Sequence, residues 1–141
     1  IKYDLIKKFN FSKKNLIFQM LPTAPLRTKK TLKSAINLSK KTKKNVFTVS
    51  EYDFHITFGL SIKNDKWTPV FKKSPMITGK TQSQTQKKYY HPTGVINCLH
   101  VGSLGKKVKS IYQNASPIII SRSESFDIDT EDDFKSIKKI F

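Results

Sequence analysis

Two short apolar runs on either side of a helical segment constrain the fold of this chain most strongly. The first run, residues 16–21, is followed by Pro22 and has the length and composition of a buried strand. After a polar turn, Thr28 precedes a segment with apolar residues on one face, and residues 46–49 form a second strand-like run. The order strand, helix, strand predicts a parallel pair joined by a right-handed crossover.

The alternation continues along the chain. Residues 1–9 show helical spacing, residues 72–88 are polar and irregular, and a helix closes the sequence. The further strand-like segments are residues 57–62, 67–71, 94–101 and 117–121. The predicted class is α/β, and we expect residues 1–141 to form one domain.

The charge of the chain indicates attraction to anions without a specific nucleic-acid partner. The formal net charge is +17, but only Arg27 and Arg122 among the 27 basic residues are arginines. Arginine supplies the bidentate contacts to guanine and phosphate, whereas the lysines here are spread along the whole length. A basic nucleic-acid-binding domain is therefore an alternative function, and an anionic small substrate fits the same charge.

Cysteine content and hydropathy indicate a cytoplasmic protein with no membrane partner. No run approaches the ~18 apolar residues of a membrane-spanning helix. The single cysteine, Cys98, excludes an internal disulfide framework and lies in an apolar strand, which indicates a core residue.

An acidic cluster near the end of the chain predicts both a helix start and a cation site. Six of the ten acidic residues lie between Glu124 and Asp133. Thr130 and Asp133 have the spacing of a capping box. Asp127 and Asp129 lie two positions apart, so in an extended segment their side chains point to the same side and suit Mg²⁺. An acidic first helical turn without a metal is the alternative.

The order of several motifs resembles one enzyme family. The segments are Leu21-Pro22-Thr23-Ala24-Pro25-Leu26-Arg27, then Gln84, then Tyr90-His91-Pro92-Thr93-Gly94, then Asp127-Ile128-Asp129-Thr130. From about residue 12 to the end, the chain resembles the acylneuraminate cytidylyltransferases, or CMP-sialic acid synthetases, with their legionaminate and pseudaminate relatives. That family carries a Gln-Pro-Thr-Ser-Pro-Leu-Arg turn, an Arg-x-Gln stretch leading to Arg-Pro-Asn-Gly, and Asp-Ile-Asp-Thr before the last helix.

The resemblance implies a Rossmann-like nucleotidyltransferase fold with a mixed, mainly parallel sheet. It also implies that CTP and a nine-carbon acidic sugar react to give CMP-sugar and pyrophosphate. Asp127 and Asp129 would be the catalytic residues and the ligands of Mg²⁺, and the substrate-binding residues would be Thr23, Gln84, Pro92 and Gly94. Family members commonly dimerise through this half, so a homodimer is an expected assembly.

The chain also departs from the family pattern. The family's N-terminal loop, which contains Gly and Lys and cradles the triphosphate, has no counterpart, so the resemblance implies a missing N-terminal part and no turnover of CTP by this chain alone. Residues at substrate positions differ as well, namely Leu21, Ser83, Thr93 and Asn97. A non-catalytic relative with a binding or regulatory role is therefore the second alternative.

Overall fold

The computed structural model describes residues 2–81, 87–105 and 108–140, which form a mixed α/β structure. The helices are α1 (Lys2–Lys8), α2 (Lys29–Thr42), α3 (Pro75–Thr78) and α4 (Glu131–Lys138). The strands are β1 (Leu16–Gln19), β2 (Val46–Glu51), β3 (Leu60–Lys63), β4 (Lys66–Pro69), β5 (Tyr90–His100) and β6 (Ser116–Ile119). The predicted mixture of helices and strands is confirmed.

Contacts divide the chain into two compact units, residues 1–50 with 92–141, and residues 51–91. The boundary falls within β2 and β5, so both strands have residues in each unit. The single domain expected from the sequence stays a prediction.

A four-stranded mixed sheet has the order β1-β5-β2-β6. β1 pairs with β5 antiparallel, with Leu16 opposite His100. β2 pairs with β6 parallel, with Val46 opposite Ser116. The predicted direct pairing of the first two strands is wrong, because β5 lies between β1 and β2. From the order of elements along the chain, β2 was expected beside β1, but β5 occupies that position.

Helix α2 begins and ends at identifiable caps. The Thr28 hydroxyl accepts a hydrogen bond from the Thr31 amide, as expected of an N-cap. At the other end, Lys43 has a left-handed backbone and its amide donates to the Ser39 carbonyl at 2.8 Å. The buried residues Thr31, Ala35 and Ser39 recur every four positions, so one face of the helix is turned away from solvent.

The core of the first unit is built around β5. Residues 95–100 are all buried, which requires cover on both faces of the strand. The buried hydrophobic cluster consists of Ala24, Ala35, Val46, Val95, Ile96, Cys98 and Ile120. Ala24 belongs to the turn that follows β1, so this turn is anchored in the core.

The unit of residues 51–91 contains a hairpin and a one-turn helix. β3 and β4 are joined by Asn64 and Asp65, which both have positive φ as a tight hairpin turn requires, so the predicted turn is confirmed. The predicted loop of residues 72–88 contains α3, which is capped by the Ser74 side chain and by Gly79 in a left-handed conformation.

The helices are short relative to the thickness of a membrane. In the part of the chain that the structure describes, the longest helix, α2, has 14 residues, and none combines the length and hydropathy needed to cross a bilayer.

Candidate functional site

The turn of residues 22–27 is closed by contacts to the end of β1. Arg27 Nη1 donates to the Leu21 carbonyl at 2.7 Å, and the Ala24 amide donates to the same carbonyl at 3.4 Å. Because Ala24 is fully buried while Pro22 and Thr23 are exposed, the turn presents these two residues outward from a fixed base. The Arg27 guanidinium thus stabilises the turn.

The acidic segment lies directly against this turn. The Ile128 amide donates to the Thr23 carbonyl at 2.9 Å. A second link joins the amide of Thr28, the N-cap of α2, to Glu124 Oε1 at 3.0 Å, and the Thr28 hydroxyl lies 3.2 Å from the same oxygen. The structure therefore brings together two motifs that are far apart in the sequence, and it places residues 127–129 beside Thr23.

Asp127 and Asp129 differ in environment. Asp127 is half-buried, and its Oδ1 atom is shielded from solvent without a hydrogen-bond partner in residues 2–81, 87–105 and 108–140. Asp129 is exposed. A buried carboxylate oxygen without a donor is costly unless a cation or ligand compensates it.

The donor set fits Mg²⁺ better than zinc. Mg²⁺ takes one or two protein carboxylates and completes its shell with phosphate oxygens and water, so a pair of aspartates matches its usual number of protein ligands. Structural zinc needs four protein ligands and catalytic zinc three. Within the described residues, no group of three or more His, Cys, Asp or Glu side chains could hold a metal.

The acidic residues that follow are committed to the helix start. Asp133 Oδ2 accepts hydrogen bonds from the Thr130 hydroxyl at 2.6 Å and from the Thr130 amide at 2.9 Å. The Asp133 amide donates back to the Thr130 hydroxyl at 3.2 Å, which completes the capping box. The Thr130 hydroxyl lowers the pKa of the Asp133 carboxyl below its usual value. The predicted capping box is confirmed, and it leaves Asp127 and Asp129 outside the helix.

Gly94 lies against the start of the same turn. Its φ is +71°, and a Cβ atom at this position would lie 2.8 Å from Leu21 Cδ1. Its neighbour Thr93 differs from the family's residue at this position. The Thr93 hydroxyl shares a hydrogen bond of 2.8 Å with the Thr48 hydroxyl, which links the side chain to β2. Asn97 is buried opposite Gln19.

The other predicted substrate-binding residues lie partly inside and partly outside the described part of the chain. Pro92 is exposed in β5. Gln84 and Ser83 lie outside the described residues. Cys98 is fully buried, as expected of a core residue, and burial raises the pKa of its thiol while a hydrogen bond with Ser39 opposes this.

Two residues of this site were missed by the sequence reasoning. Glu124 was counted only as part of the acidic cluster, although its carboxylate links this segment to the N-terminus of α2. Arg27 was matched to the family's turn without a contact being assigned to it. The available signal was its position at the end of a Pro-rich turn, where a guanidinium can donate to backbone carbonyls.

Comparisons with known proteins do not assign this geometry to a family. No protein-family model matches the chain, and no curated protein matches it. The functional interpretation therefore depends on the residues and contacts described above.

Proposed function

We propose that this chain is part of a cytidylyltransferase that activates a nonulosonic, sialic-acid-like sugar with CTP, giving CMP-sugar and pyrophosphate. The observation that carries the proposal is the 2.9 Å hydrogen bond from the Ile128 amide to the Thr23 carbonyl. This bond joins the two motifs on which the resemblance to the CMP-sialic acid synthetases depends. A Rossmann-like arrangement, a cytoplasmic location and a homodimer belong to the same proposal.

The residues take distinct roles in this proposal. Asp127 and Asp129 would hold Mg²⁺, which when bound neutralises phosphate charge and orients the sugar hydroxyl toward the α-phosphate. The buried Oδ1 of Asp127 supports this role because no described residue compensates it. Thr23 is exposed next to this carboxylate-bearing segment and is proposed to contact substrate. Gln84, Pro92 and Gly94 are proposed to line the sugar side.

Electrostatics and rigidity support the same assignment. The net charge of +17 favours the approach of the strongly anionic nucleotide. The Glu124 carboxylate, bound by Thr28, and the capping box of Thr130 and Asp133 fix the backbone before and after the acidic pair. Catalysis by positioning requires such a fixed frame, since small displacements of reacting groups cost large factors in rate.

A pyrophosphate-release assay tests the proposal. The assay contains CTP, Mg²⁺ and a panel of nine-carbon acidic sugars, and it uses the full-length gene product that contains residues 1–141. We expect this product to release pyrophosphate. In the same product, Asp127→Ala and Asp129→Ala should each reduce turnover by roughly 100-fold or more. Glu131→Ala removes the same charge from an exposed helical position and is the matched control.

One result would contradict the metal assignment, and two others would contradict the enzyme assignment. Full activity of both aspartate variants would refute the metal site. Binding of CTP or CMP-sugar by the full-length gene product without turnover would indicate a non-catalytic relative. Tight nucleic-acid binding that exceeds that of unrelated lysine-rich proteins would instead favour the basic nucleic-acid-binding domain.

A further inference from the structure

The β3–β4 hairpin has one apolar face and one polar face. Side chains alternate along a strand, so residues opposite each other in the register share a face with those two positions away. The apolar face consists of Leu60 opposite Pro69 and Ile62 opposite Trp67. The polar face consists of Ser61 opposite Thr68 and Lys63 opposite Lys66. We call the four apolar residues the hairpin strip.

The hairpin strip is open to solvent. The exposed fraction is 73% for Ile62, 48% for Trp67 and 40% for Leu60, and Pro69 is half-buried. Single exposed apolar residues are common, but neighbouring ones that form a patch mark a contact surface. A two-stranded hairpin is also marginally stable unless its apolar face packs against another surface. The described residues therefore leave this face without the cover that such a hairpin needs.

Lysines border the hairpin strip. Lys63 and Lys66 flank the turn and Lys72 and Lys73 follow β4, while Asp65 is the only acidic residue from the start of β3 to Lys73. The whole chain carries a formal net charge of +17. Two copies that met at this face would bring like charges together, so the charge favours an anionic partner over self-association.

We propose that the hairpin strip docks on the surface of an anionic lipid bilayer. The aliphatic side chains of Leu60 and Ile62 match acyl chains, whereas contact with nucleic-acid bases depends on aromatic stacking. Tryptophan, here Trp67, is enriched where acyl chains meet headgroups. The bordering lysines can reach lipid phosphates while their stems lie along apolar surface. Charge spread along the whole chain matches an extended anionic surface better than a short acidic segment.

This contact is peripheral and is independent of the proposed cytidylyltransferase activity. The expectation of no membrane partner was based on the lack of a run long enough to span a bilayer. Docking at the headgroup boundary needs no such run, because its strength comes from buried apolar area and attraction to anionic lipid.

The fluorescence of Trp67 tests the contact, because Trp67 is the only tryptophan in residues 1–141. The full-length gene product that contains these residues is mixed, at physiological salt, with vesicles of phosphatidylcholine and phosphatidylserine in equal parts or of phosphatidylcholine alone. The difference between wild type and Trp67→Phe gives the emission of this residue. We expect a blue shift, and quenching by lipids brominated in the acyl chains, with the anionic vesicles only.

Substitution of an exposed isoleucine tests the apolar part of the contact. Ile62→Ser should weaken binding to the anionic vesicles about 10-fold, because it removes apolar area from the contact. Ile140→Ser is the matched control, since Ile140 is 64% exposed and lies outside the hairpin, and it should leave the affinity unchanged. Circular dichroism of each variant checks that it folds.

Two double variants test the charged part. Lys63→Gln/Lys66→Gln should weaken binding more than Lys30→Gln/Lys33→Gln, which removes equal charge from exposed positions of α2. Equal loss in the two double variants would show general attraction between charges and overturn the proposal.

Three further results would overturn it. Unchanged emission of Trp67 with anionic vesicles would exclude docking by the apolar face. A blue shift that grows with protein concentration in the absence of lipid would show that a second copy covers the hairpin strip. A shift produced by an oligonucleotide but not by vesicles would show a nucleic-acid contact instead.

Discussion

Gly94 packs so closely on Leu21 that a Cβ atom added to Gly94 would lie 2.8 Å from Leu21 Cδ1. Such a distance cannot be accommodated unless the Leu21 side chain, which packs against the hydrophobic core, moves away. We expect Gly94→Ala to lower the free energy of unfolding by about 2–4 kcal/mol, through both left-handed backbone strain and overpacking. Urea denaturation monitored by circular dichroism measures the change.

Gly79→Ala is the matched control for that substitution. Gly79 has a φ of +70°, but nothing lies within 4 Å of a Cβ atom placed there. It should therefore cost only the backbone strain, about 1–2 kcal/mol. The double variant Leu21→Ala/Gly94→Ala should be less destabilised than the sum of its single substitutions. An additive double variant would show that the contact with Leu21 does not limit Gly94.

Asp127→Ala should stabilise the metal-free protein. The Oδ1 atom of Asp127 is buried without a partner in the described part of the chain, and removal of an uncompensated polar group recovers about 1–3 kcal/mol. The same substitution should abolish any stabilisation by Mg²⁺. Thermal unfolding with and without Mg²⁺ measures both effects. Asp129→Ala removes an exposed carboxylate and should change metal-free stability by less than about 0.5 kcal/mol. A destabilised Asp127→Ala protein in EDTA would show that the carboxylate is compensated.

The capping box predicts a pH dependence of stability. The Thr130 hydroxyl lowers the pKa of Asp133, so the folded state favours the ionised carboxylate. The stability that this interaction contributes is present above the unfolded carboxyl's pKa and is lost as the pH falls through the lower pKa of the folded state. Denaturation from about pH 5 downward should show this loss in the wild type and less of it in Asp133→Asn. Parallel pH profiles of the two proteins would contradict the assignment.

Cys98 should be chemically inert in the folded protein. Burial raises the pKa of its thiol, so the reactive thiolate is scarce at neutral pH and reagents lack access. Alkylation by iodoacetamide should be at least about 10-fold slower in buffer than in urea. The contribution of the protonated thiol to stability should fall as the pH rises past the pKa of the unfolded thiol. Equal alkylation rates in buffer and urea would show that β5 opens readily.

Local sequence signals predicted the helix starts and the hairpin. The caps at Thr28 and Thr130 depend on residues within three positions, and the hairpin turn depends on Asn64 and Asp65, whose side chains tolerate positive φ. The same kind of signal was overlooked at α3, where Ser74-Pro75 begins a helical turn and Gly79 ends it. The sequence therefore contains the signals for α3, although they were not used to predict it.

Non-local pairing could not be predicted in the same way. Nothing near β1 and β2 indicates that a strand beginning at Tyr90 separates them. The contact between Thr28 and Glu124 joins residues 96 positions apart, and neither side chain is unusual at its place in the sequence. By contrast, the proximity of Thr23 to residues 127–129 followed from the expectation that ligands bind beyond strand ends. The motifs predicted which segments meet, and the structure supplied the atoms that join them.

The link between Thr23 and Ile128 uses only main-chain atoms. Substitution of either side chain therefore removes neither the donor nor the acceptor. A library randomised at Thr23 and Asp129, two exposed positions, would vary the chemical lining of this corner on a constant backbone. Such a scaffold gives directed evolution a place to alter ligand choice with little risk to folding.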